Sequence, residues 1–86
     1  MLPKSNTNMR QIKLIWDFYG EDAEATAKHH AIHLEDFAKM RSIPNYKAGT
    51  EVLNEVDHLA YLIVAEDKMI EVRDVLKPKR GQWVES

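Results

Sequence analysis

The sequence predicts an α+β sandwich: one four-stranded antiparallel sheet with two helices on one of its faces. Three observations carry this reading. Residues 11–18 alternate Ile12, Leu14, Trp16 and Phe18 with Gln11, Lys13, Ile15 and Asp17, which is the period of a strand. Residues 20–41, GEDAEATAKHHAIHLEDFAKMR, form the longest stretch with helical character. Residues 58–65, HLAYLIVA, are the most apolar run, with Leu62, Ile63 and Val64 consecutive, as in a central strand covered on both faces.

The elements follow in order. Residues 1–8 are polar with one proline and read as a disordered segment ahead of a single domain over residues 9–86. Tyr19 and Gly20 turn the first strand into the long helix. Gly20 or Asp22 is expected to cap it. Glu21, Asp22 and Glu24 at its start and Lys39 and Arg41 at its end suit the helix dipole. Ala23, Ala27, Ala31, Leu34 and Ala38 make one narrow stripe with Phe37 at its margin, so the helix can approach a sheet closely. Pro44 is expected to close it. A second strand is expected over residues 48–53, turn residues over 54–57, and the central strand over 58–65. A second helix is expected from Glu66 to Leu76, with Met69, Val72, Arg73 and Leu76 at helical spacing, and a last strand over residues 82–85. Two right-handed crossovers then put both helices on one face, with Ile12, Leu14, Trp16 and Phe18 beneath them. The other face is expected to show Ile15 and one of two sets, either Leu59, Tyr61 and Ile63 or Ala60, Leu62 and Val64. Such an open apolar face would be relieved by a second copy packed sheet to sheet.

Composition narrows the function. Eighty-six residues make one modest core, for which self-association is a plausible source of extra stability. Fourteen acidic and twelve basic residues give a formal charge of −2, against the basic excess that nucleic acid or an anionic membrane surface demands. The central strand has one tyrosine and no basic-glycine-aromatic pattern for stacking bases. There is no cysteine, hence no disulfide framework, and no apolar run approaches the roughly 18 residues that span a bilayer. The expectation is a cytoplasmic protein binding neither nucleic acid nor membrane.

The element order, the two-sided apolar third strand and the histidine-bearing helix HHAIHLEDF resemble the ferredoxin-like fold, in particular the dimeric α+β barrel superfamily. The resemblance covers about residues 9–85 and is nearest in layout to short bacterial members without an assigned role. It implies a homodimer closed through the open sheet faces. The superfamily includes cofactor-free monooxygenases and YciI-like and EthD-like proteins. Its layout implies a cavity between the first helix and the sheet, reached by His30, His33, Trp16, Phe37 and Tyr61. There His30 or His33 would act as acid or base and the three aromatics would line a site for a small aromatic or apolar ligand. The alternative is that the aromatics are core and the histidines are packed or at the rim.

Other residues carry weaker signals. His29 and His33 are four apart and His30 and His33 three apart, so each pair can share a helix face. Such pairs can bind zinc, nickel or copper. A full site needs further ligands, for which His58 or Glu35 would have to come close, and no metal or cofactor is assigned. Asp17 reads as a salt-bridged rim residue or an orienter of histidine. Arg73, Lys77, Lys79 and Arg80 form a basic cluster that suits either an anion or solvent. The favoured reading is a small homodimeric ligand-binding or interaction module. The alternative is a cofactor-independent enzyme.

Overall fold

A computed structural model describes residues 10–84. Its elements are β1 (Gln11–Tyr19), α1 (Ala23–Met40), β2 (Lys47–Asn54), β3 (Asp57–Ala65), a 3-10 turn (Glu66–Lys68) leading into α2 (Met69–Leu76), and β4 (Arg80–Val84). The strands form one antiparallel sheet in the order β2-β3-β1-β4. This is the ferredoxin-like βαββαβ fold. The disorder expected for residues 1–8 lies outside the described residues, as do Met9, Glu85 and Ser86.

Local chemistry sets the boundaries. Gly20 takes a φ of 106°, and its N–H donates to the Val56 carbonyl at 2.9 Å, tying the β1–α1 turn to the tip of the next hairpin. Asp22 occupies the N-cap position of α1, but its side chain makes no capping hydrogen bond. At the other end, Ser42 adopts a left-handed φ of 55°. The Ile43 N–H reaches back to the Ala38 carbonyl and the Ser42 N–H to that of Lys39. This Schellman geometry ends the helix at Met40, four residues ahead of Pro44, and turns Ile43 into the core. In the β2–β3 turn, the Asn54 side chain accepts from the Val56 N–H and donates to Asp57, after an irregularity in the ladder between Val52 and Asn54. The last strand begins at Arg80, two residues earlier than expected, because Arg80 and Gly81 already pair with Ile15 and Leu14.

Ile12, Leu14 and Trp16 of β1 stand opposite Val64, Leu62 and Ala60 of β3, and all six are buried with Leu34, Ala38, Ile43 and Val72 under the helices. That settles the choice between the two β3 sets: Leu59, Tyr61 and Ile63 lie on the helix-free face. The alanines of α1 do what small side chains allow, since Ala23, Ala27 and Ala38 are buried directly against the sheet.

The helix-free face is not the open apolar surface expected. Ile15 is 1 % and Leu59 2 % exposed, although no helix covers them. Their cover is a roof of long polar side chains. Lys13 pairs with Glu51, its ammonium passing over the Tyr61 ring at 4.8 Å from the centroid. Arg80 donates to both carboxylate oxygens of Asp17, at 2.9 and 3.0 Å. Tyr61 in turn lies against Gly49, where an added Cβ would stand 2.8 Å from its hydroxyl.

Candidate functional site

The three histidines of α1 divide by helical phase. His30 points toward the sheet margin, where its ring packs against Trp16 at 5.1 Å and Phe18 at 5.5 Å between centroids. Its Nε2 is buried and has no hydrogen-bond partner. Burial holds the His30 imidazole below its ordinary pKa, and neighbouring His33 and His29 push the same way, because a second positive charge is unfavourable beside them. His30 is therefore a neutral, aromatic-packed ring at neutral pH. His29 and His33 are exposed on the outer side of the helix, with ring centroids 4.4 Å apart.

Of the aromatic residues expected to line one cavity, Trp16 and Phe37 belong to the core under the helices, and Tyr61 stands apart. Trp16 is buried beneath the helices, and its Nε1 donates to the Leu76 carbonyl at 2.9 Å, satisfying one of the last carbonyls of α2. Phe37 is half-buried at the margin of α1, with the Arg41 guanidinium 4.8 Å from its ring centroid. Tyr61 lies on the opposite face of the sheet. Strand alternation explains this: Trp16 pairs with Ala60, so the next residue, Tyr61, points the other way. His33 also faces away from the sheet. A site that needs His30, His33, Trp16, Phe37 and Tyr61 around one ligand is not assembled here.

The remaining candidates are engaged or apart. The Arg80 hydrogen bonds hold the Asp17 carboxyl below its ordinary pKa, and Asp17 pairs with Arg80 rather than with a histidine. Arg73 lies near Asp74, and the Lys79 N–H donates to the Ile15 carbonyl, so the basic stretch is drawn into local pairs and the sheet edge. His58 is buried beside Phe18 on the adjacent strand. Among the described residues, no three histidine, aspartate or glutamate side chains gather in a way that could hold a metal.

The sequence reading missed the roof over Ile15. Lys13, Glu51 and Arg80 are far apart in the chain, and only the sheet register brings them over one apolar floor. Beside that roof lies an open depression of about 290 Å³, lined by Lys13, Ile63, Gln82, Trp83 and Val84. The one signal available in the sequence was the lysine and acids interleaved with the apolar residues of the first two strands.

No family model, curated protein or solved structure matches this chain. Among the described residues, no helix is long and apolar enough to cross a membrane.

Proposed function

We propose that the chain is a small cytoplasmic module that works by binding rather than catalysis, as a homodimer joined through the helix-free sheet face. The carrying observation is the construction of that face. Its floor is Ile15, Leu59, Tyr61 and Ile63, and only side chains stand above it. Two charge pairs are matched within the face, Lys13 with Glu51 and Asp17 with Arg80, and Lys47, opposite Ile63, carries a further charge on it. A second copy docking there keeps both of these ion pairs intact, which is the condition under which buried ion pairs are tolerated. Docking would also close the open depression beside Ile63. That depression, of about 290 Å³, has a mixed lining of Ile63, Trp83 and Val84 with Lys13 and Gln82, and a small ligand with an apolar ring would meet both kinds of side chain there.

The enzyme reading gains no such support. It needs a histidine and three aromatics around one cavity, and Tyr61 lies across the sheet from the rest.

Light scattering at micromolar concentration tests the proposal. The expected mass is twice the 10.0 kDa of one chain. Ile63→Glu, at the half-buried centre of the interface, is expected to return the protein to single copies with its circular dichroism unchanged. A native protein that stays at single-chain mass overturns the homodimer.

A further inference from the structure

We propose that His29 and His33 form a surface chelate for one divalent late first-row transition ion, Cu²⁺, Ni²⁺ or Zn²⁺. The inference does not depend on the dimer. The two residues are one helical turn apart on the exposed side of α1, and their ring centroids are 4.4 Å apart, tilted by 53°. Two imidazole nitrogens sharing an ion at about 2.0 Å each stand roughly 3 Å apart. Rings already this close reach that spacing by small side-chain rotations, with no movement of the helix. The rigid backbone of an 18-residue helix holds both ligands before the ion arrives, so little ordering is left for binding to oppose.

The surroundings favour the pair. Glu24 with Lys28 and Glu35 with Lys39 form ion pairs along the same helix, and the exposed Asp36 stands one turn beyond His33. His30 is directed inward against Trp16 and Phe18 and is not a third ligand. With no third histidine, aspartate or glutamate joining among the described residues, the other coordination positions belong to water or to a donor from another molecule. Two imidazoles with open positions select by the general order of nitrogen sites, Cu²⁺ above Ni²⁺ and Zn²⁺.

The test uses the full chain and the metal salts alone. Calorimetric titration with CuCl₂, NiCl₂ and ZnCl₂ in a non-chelating buffer at pH 7.5 is expected to give one ion per chain, tightest for copper. His29→Ala and His33→Ala are each expected to weaken binding at least tenfold, whereas His30→Ala leaves the affinity of the pair unchanged. Paramagnetic Ni²⁺ is expected to broaden the imidazole signals of His29 and His33 before those of His58. Both substitutions lie on an exposed helix face, and circular dichroism checks that the variants are folded. Binding that survives the His29→Ala/His33→Ala double variant, broadening centred elsewhere, or no heat at millimolar metal overturns the proposal.

Discussion

The two faces of the sheet bury apolar side chains by different means. Under the helices, Leu62 and Val64 are sealed by other apolar side chains held on rigid backbone. On the other face, Ile15 is equally dry, and the register sets around it the flexible side chains of Lys13, Asp17, Glu51 and Arg80 and the ring of Tyr61. Low exposure therefore does not by itself identify a rigid core. Long charged side chains can shed water from an apolar floor with their methylene stems while their ends pair with one another. What differs is how readily each cover collapses into a void or opens to a partner.

Paired truncations measure that difference most directly. Leu62→Ala is expected to cost about 3 kcal/mol or more, because the helices cannot settle into the gap. Ile15→Ala is expected to cost about 2 kcal/mol, since the roof of side chains can sink. Urea unfolding of both variants decides the matter, and equal losses would mean that the roof is as stiff as the helices.

A smaller effect is expected from Asp17→Asn, which weakens the two-pronged bond to Arg80. The loss should be about 0.5–1 kcal/mol, shrinking in salt, because Arg80 is half exposed. The pH dependence has a definite sign. The folded pKa of Asp17 is lowered, so its contribution is complete above the ordinary carboxylate value of about 3.9 and is lost as pH falls through the lowered value. Acid unfolding of the asparagine variant should lack that part of the decline.

The smallest expected signal is at the margin of the helix-covered face. His30 is held below its ordinary pKa, so its neutral form favours the folded state. Its contribution is present above about pH 6.5 and is lost as pH falls through the folded value. In an imidazole NMR titration, His30 should have a midpoint below 6.5. A midpoint at or above 6.5 would mean that water reaches the seam between α1 and β1.

The helix-covered half was legible because each of its signals is periodic and local. Ile12, Leu14, Trp16 and Phe18 repeat every second residue, and Ala23, Ala27, Leu34 and Ala38 follow a helical stripe. Other features depended on partners distant in sequence. The end of α1 was credited to Pro44, whereas the left-handed Ser42 and the return of Ile43 to the core end it earlier. The grouping of Tyr61 with Trp16 and Phe37 failed on strand parity. HLAYLIVA is apolar on both faces, so its pattern alone does not say which residues meet the helices.

By itself, the sequence determined the fold class, the order of its elements and the residues of β1 and α1 that face each other. These follow from backbone periodicity and the need to bury apolar side chains. Only the tertiary structure decided which face of β3 meets the helices and that Lys13, Glu51, Asp17 and Arg80 gather around Ile15. Those outcomes depend on register and side-chain reach across strands, where one residue of shift exchanges the two faces and no local pattern records the choice.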